Sequence, residues 1–368
     1  MLKTLKPTTS QAIMTIMLTV GITNHVFIIP AILQAALRDA WISVVLSAIP
    51  FAIFTGLLIF ISSHTGKIPL HVWIEQSFGK VPSYIYRVIF TLFFFTVAWF
   101  SLFDTVMWTK VSFMPYTPVF FTALTLMLLC FNAARSGIRT ITFTSGLLLP
   151  VVVILGLYVG TVNIEYKDYN QLFPIFENGW LPVLRGMMYS CTGLFEISFL
   201  LFLQPYLAKP LKRRHFILMS VIALGLTLGP LTGSIAEFNP YEAATQRYPA
   251  YEEWRIAGFG KYISQTDFFS IYQWLSGSCV RISFALFFAA DMWKFESPRQ
   301  RSYFLLSMTI FLIPLGSFIF NDTTFFDLAI RYIFPGNLIL LSAFALLLTL
   351  AIIIHSLKKG RSIHDTSR

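Results

Sequence analysis

The sequence predicts an all-α integral membrane protein of about ten transmembrane helices, and three observations carry that prediction. Of the 368 residues, 56% are hydrophobic and only 12% are charged, against roughly 25% charged in soluble domains. The apolar residues come in unbroken runs of about 20, the length that crosses a bilayer, instead of the one-sided stripe of a soluble helix. The charge that remains gathers in short connectors between the runs. The formal net charge of +10 therefore reads as membrane orientation and not as a nucleic-acid-binding face.

Runs bounded by charged and turn residues place spans at 10–36, 41–62, 83–110, 116–133 and 138–161, then at 180–206, 215–237, 266–292, 302–320 and 330–356. The opening run continues past the 7–15 apolar residues of a signal peptide and no small-residue cleavage site follows, so it is read as span 1. Ile68 to Phe78 predicts a helix lying at the membrane surface. The connector 238–265 carries Asn239-Pro240 and Tyr248-Pro249 and predicts a cap or short interfacial helix. With the first residues in the cytoplasm, 18 basic residues fall in inside segments and eight in outside segments, which puts both termini in the cytoplasm. Five spans, a long connector and five more spans permit an inverted repeat within one membrane domain of residues 1–368. The repeats would be 10–161 and 180–356, with 357–368 as a cytoplasmic tail. Cys130, Cys191 and Cys279 all lie within spans and predict no disulfide.

Polar groups at membrane depth are the candidates for function, because each must face protein or a water-filled cavity. Span 1 holds Gly21, Thr23, Asn24 and His25 near its middle, followed by Pro30, a combination that predicts a helix break. Span 6 holds Ser190, Cys191, Thr192 and Gly193, followed by Glu196. Interrupted helices at the same place in two halves point to a ligand site, since broken ends free backbone donors and acceptors. Close helix packing is the competing reading of the small residues. Asp104 on span 3, Glu196 and Arg281 on span 8 form a candidate charge network. Glu196 and Arg281 lie at similar depth and are expected to pair, either as a structural ion pair or as part of a ligand site. His25 is read as a packed neutral side chain or as a proton-linked group. Asp291, near Lys294, is expected in headgroup water. No zinc helix, nucleophile elbow or phosphate loop is present, so no enzyme, metal site or cofactor is predicted.

The order of several motifs resembles the B-subunit, or GerAB-type, permease-like component of the nutrient germinant receptors of spore-forming bacteria. The segment Leu172-Phe173-Pro174-Ile175-Phe176-Glu177-Asn178-Gly179-Trp180-Leu181-Pro182 is similar to that family's approach to span 6. Tyr248-Pro249 with Asp267 to Trp274, Gly137 with Pro150, and Pro30 resemble other family positions. The resemblance implies the amino acid–polyamine–organocation (APC) superfamily and its LeuT-like five-plus-five inverted-repeat fold, with a ligand site between interrupted helices 1 and 6. It also implies the spore inner membrane, A and C partner subunits and a small amino-acid-like nutrient. The chain departs from the family where a Gly-x-Gly is replaced by Thr23-Asn24-His25 and where Gly-x-Glu becomes Gly193-Leu194-Phe195-Glu196. It departs again at Ser264-Gln265, where relatives carry Glu-Arg, and at Phe143, where they carry a basic residue.

The function expected is that of a germinant-receptor subunit that binds a nutrient at the membrane midplane and triggers germination through its partners. A free-standing secondary amino acid transporter is the alternative, and an assembly subunit without ligand binding is a third. His25 in place of glycine predicts a smaller pocket and a smaller ligand.

Overall fold

A computed structural model describes residues 6–258 and 265–365, with side chains described as far as 357. Lys3, Lys261, Ser264, Arg368 and most of the 357–368 tail side chains thus lie outside the described residues. Every span expected from the sequence is helical, and no strand occurs among the described residues.

Span 1 opens with α1 (Thr9–Ile22), which starts where Thr8 accepts from the Gln11 backbone and the Gln11 side chain accepts from the Thr8 backbone. This reciprocal cap satisfies two amide groups that the first helical turn leaves without partners. The span then loosens into a π-helical turn (Thr23–Phe27) and resumes as α2 (Ile29–Ala36). Pro30 is the cause. It has no N–H, and its ring clashes with the carbonyl four residues back. The ladder relaxes so that the Ile28 N–H reaches the Thr23 carbonyl, 3.0 Å away. Span 2 is α3 (Ala40–Thr65), and α4 (Leu70–Phe78) follows as the short surface helix. Span 3 is α5 (Lys80–Ser112), span 4 is α6 (Val119–Ser136) and span 5 is α7 (Ile138–Val162). Gly137 turns the chain between the last two at φ 99°, a conformation that costs only glycine nothing.

Span 6 is α8 (Trp180–Phe195), a tightened 3₁₀ turn (Glu196–Ser198) and α9 (Phe199–Leu203). Span 7 is α10 (Arg213–Phe238). The expected cap is two short helices, α11 (Pro240–Thr245) and α12 (Pro249–Ile256), each opened by a proline in its first turn. Span 8 is α13 (Phe269–Asp291) and span 9 is α14 (Pro298–Ser317). Span 10 is α15 (Asp322–Leu328), a second π-helical turn (Ala329–Ile333) and α16 (Phe334–Asp365). Pro335 does here what Pro30 does in span 1, and the Phe334 N–H bonds the Ala329 carbonyl.

Among the described residues, seven helical stretches are long and apolar enough to cross a membrane, the first of them, Thr9–Thr65, containing two spans. Spans 8 and 9 are not among them. Span 8 is the axis of the bundle, packed on spans 1, 3, 4 and 5. Protein covers it on most sides, so it can carry Ser276, Ser278, Cys279, Arg281 and Ser283 where a lipid-facing helix could not. The lipid-facing work falls to spans such as 5 and 10, where Ile154, Leu157, Leu347 and Leu350 are all more than half exposed.

Candidate functional site

The breaks of spans 1 and 6 meet at mid-bundle, and side chains close them. The Asn24 amide donates to the Val20 carbonyl at 2.9 Å and to the Gly193 carbonyl of span 6 at 3.1 Å, while its oxygen accepts from Thr227 of span 7 at 3.1 Å. A Cβ at position 193 would lie 2.6 Å from the Asn24 oxygen, so only glycine admits this contact. The Thr23 hydroxyl donates to Glu196 at 2.9 Å.

Glu196 and Arg281 form a two-pronged pair, with N–O distances of 2.6 and 2.7 Å and side chains 2% and 3% exposed. Arg281 also donates to the Thr19 carbonyl at 2.8 Å and to Ser101 at 2.9 Å. A charge in hydrocarbon is costly unless it is paired and hydrogen-bonded, and here both conditions are met. Side chains thus satisfy the carbonyls that the broken-helix expectation left open for a ligand. Asn24 serves Val20 and Gly193, and Arg281 serves Thr19.

Two aromatic layers enclose this cluster. On the side of the chain termini, Phe94 lies 5.7 Å from Phe199 and 5.1 Å from Phe202, and Phe284 lies 4.5 Å from Phe288. On the cap side, Phe27 lies 5.2 Å from Phe100 and Phe103 lies 3.8 Å from Phe325. The gap left among Thr23, Thr192, Glu196, Arg281, Phe334 and Asn337 measures about 10 Å³, at the threshold for a single water. The arrangement is occluded, and an amino acid would enter only if spans 1 and 6 moved apart.

The family assignment rests on more than this geometry. The sequence profile of the Spore_permease family, described as "Spore germination protein", matches residues 7–325. Spore germination protein XB of Bacillus anthracis is 34% identical over 340 residues, covering 92% of this chain and 95% of that protein. The chain belongs to the spore germination protein family. Spore germination protein GerQB of Bacillus cereus is 22% identical over 198 residues, covering 52% of this chain and 53% of that protein. Among solved structures, MhsT in complex with L-phenylalanine superposes with a TM-score of 0.64 at 12% identity, covering 96% of this chain and 99% of that one. The fold is accordingly the LeuT-like arrangement of APC-type membrane proteins.

Within this spore germination protein the predicted site residues divide. Thr23, Asn24, Gly193, Glu196 and Arg281 come together as described. Ser190 faces span 2 instead, 2.9 Å from Ser47. Thr192 contacts the Phe334 carbonyl of span 10 at 3.1 Å. Cys191 packs as a free thiol in the apolar core, and Cys130 and Cys279 are likewise free with their sulfurs 3.9 Å apart. Gly21 and His25 line a separate cavity against spans 5, 7 and 8. His25 therefore does not narrow the gap beside Glu196, and the expectation of a smaller ligand pocket loses its basis. On a helical turn, adjacent residues point roughly 100° apart, so Asn24 and His25 meet different neighbours.

Asp104 is also reassigned. It does not join Glu196 and Arg281 but pairs at 2.5 Å with Arg247 of the cap, which reaches Asp322 of span 10 at 3.3 Å. The guanidinium also lies 4.6 Å from the Tyr248 ring and 4.3 Å from the Phe326 ring. Burial works against the charge of Arg247, but Asp104, then Tyr248 and Asp322, outweigh it and raise its pKa above the ordinary arginine value. Asp291 is not left to headgroup water. It accepts from the Tyr206 hydroxyl at the end of span 6, while Lys294 pairs with Glu75 of α4 at 3.3 Å. Sequence reasoning missed Ser101, Thr227, Arg247 and the break in span 10. The spacing of Ser101 with Thr105 on one helix and Ser278 with Arg281 on another was the available signal for polar faces turned toward each other, and Thr105 and Ser278 do meet at 2.6 Å.

Proposed function

We propose that this chain is the permease-like B subunit of a nutrient germinant receptor, binding a small amino-acid-like nutrient between spans 1 and 6 and passing the signal to A and C partner subunits. One observation carries the reading: a buried, two-pronged carboxylate–guanidinium pair that also holds Thr23 and the Thr19 carbonyl at the break of span 1. A zwitterionic ligand offers both halves of that pair in exchange. Its carboxylate can take the place of Glu196 on Arg281, and its ammonium can take the place of Arg281 on Glu196 and the Thr19 carbonyl. Thr23, Asn24, Thr192 and Gly193 then set specificity beside the charges, with Ser190 and Cys191 behind them. Opening the pair separates span 1 from spans 6 and 8. The ligand's differential affinity for the opened form is what shifts the equilibrium. On this reading residues 10–161 and 180–356 are the inverted repeats, both termini are cytoplasmic, the cap faces outward, and the membrane is the spore inner membrane or the cell membrane. No enzymatic activity is assigned.

A free-standing secondary transporter is the second reading, favoured by the likeness to MhsT along nearly the whole chain. Labelled amino acids offered to the purified protein in sealed vesicles separate the two. Saturable binding without accumulation is the expected result. Accumulation inside the vesicles would transfer the assignment to the transporter, and the absence of binding to any amino acid, with the pair intact, would remove the ligand site.

A further inference from the structure

The molecule holds a second cavity, far larger than the gap at Glu196. It has a volume of about 550 Å³ and lies on the other face of span 1, walled by spans 5, 7 and 8 and covered by α12. We infer that this cavity is a site for a single hydrocarbon chain bearing a polar head, entered sideways from the bilayer between spans 5 and 7. The inference does not depend on the nutrient reading.

Four features lead there. First, the cavity is open at membrane depth. Spans 5 and 7 make no substantial contact, and Gly225 and Gly229 of span 7 are exposed with nothing within 4 Å of where a Cβ would lie. Across the opening, Val153 is 41% exposed and Leu157 65% exposed. At that depth the medium outside is hydrocarbon. Second, the cavity is long and narrow. Its wall on span 5 runs from Leu149 to Gly160, about 16 Å at the helical rise, and its depth is lined by Met17, Leu18 and Val152.

Third, the charged groups lie at one end, while His25 and Gln273, which donates to the Val152 carbonyl at 3.4 Å, are neutral polar groups lower on the wall. Lys167 and Glu253 line the cavity toward the cap. Lys167 is balanced by Glu237 at 3.2 Å, and Glu253 accepts from Ser234 at 2.8 Å. Burial, and then the neighbouring Glu237, push the Glu253 carboxyl up to about 8, so at neutral pH this end carries no uncompensated negative charge. Fourth, Trp274 lines the same cavity, is 5% exposed, and its indole N–H has no hydrogen-bond partner among the described residues. That nitrogen is closed off from the cavity, so it is the carbon edge of the ring that faces the space and would pack against a hydrocarbon chain.

The chain could come from a membrane phospholipid or from a free fatty acid, and two probes distinguish the sources. The full-length protein is reconstituted in phosphatidylglycerol–phosphatidylethanolamine vesicles containing either a phosphatidylglycerol with a photoreactive diazirine in its acyl chain or a diazirine fatty acid. Cross-linked peptides are then mapped. Labelling of the interior residues Met17, Leu18 and Trp274 is expected, with whichever probe succeeds identifying the source. Gly225→Leu with Gly229→Leu fills open space and closes the entrance, so interior labelling should fall at least fivefold. Gly56→Leu on span 2, also open around its Cβ, should leave it unchanged. Interior residues that stay unlabelled by both probes while Val221 and Leu157 on the surface are labelled would overturn the site. Interior labelling undiminished by the closed entrance would overturn it equally.

Discussion

The two faces of span 1 at its break differ more than their shared sequence suggests. On one face Thr23 and Asn24 are engaged by two other spans, and about 10 Å³ remains unfilled. On the other, Gly21 and His25 border about 550 Å³ of space. A single break thus presents a closed polar joint and an open apolar chamber. The lesson is that a loosened helix does not by itself expose its backbone, because what decides is whether side chains of the right length stand opposite the freed carbonyls.

If the closed face is a joint, its severest damage comes from breaking the charge pair. Glu196→Gln or Arg281→Gln alone leaves an uncompensated charge at membrane depth and should cost about 3–5 kcal/mol. The double substitution should recover most of that loss in melting temperature and folded yield. Additive losses would show that the pair is not a unit. Next in size is Gly193→Val, whose Cβ would stand 2.6 Å from Asn24. We expect about 1–3 kcal/mol of overpacking strain and loss of ligand response, both partly relieved in an Asn24→Ala background. An unchanged ligand response in a well-inserted Gly193→Val protein would place the binding site elsewhere.

Asn24→Ala and His25→Ala compare the faces directly. The first removes hydrogen bonds to two buried carbonyls and one from Thr227 and should cost about 1–3 kcal/mol, whereas the second, at a cavity wall, should cost less than about 1 kcal/mol. Equal shifts in the thermal melts of the two variants would erase the distinction. The smallest expected effect is on pH dependence. Because the Glu253 pKa rises from 4.5 to about 8 on folding, the folded state holds this proton more tightly. Its contribution to stability is complete below about 4.5 and is lost as pH climbs through 8. Glu253→Gln should flatten the melting-temperature profile across that window, and a profile identical to wild type would refute the shift.

Much of this architecture is legible in the sequence because lipid imposes it. Runs of about 20 apolar residues gave the spans, and Pro30 marked the first break. The same proline signal at Pro335 went unread, since it lies inside an apolar run already long enough to count as one span. Counting residues from the span ends put Glu196 and Arg281 at one depth. It could not do so for Asp104, whose partner Arg247 comes from a cap that periodicity does not position. The different orientations of Asn24 and His25 were hidden for another reason. Composition records which residues share a turn but not which neighbour each one faces.

Arg281 carries a consequence of its own. A guanidinium that neutralises Glu196 and binds the Thr19 carbonyl does the work of a bound cation while remaining part of the chain. Its local concentration is set by the length of one side chain and not by the composition of either compartment. The joint between spans 1, 6 and 8 therefore keeps its counter-ion through drying, dilution or a change of salt, and only a competitor bringing its own charges can dislodge it.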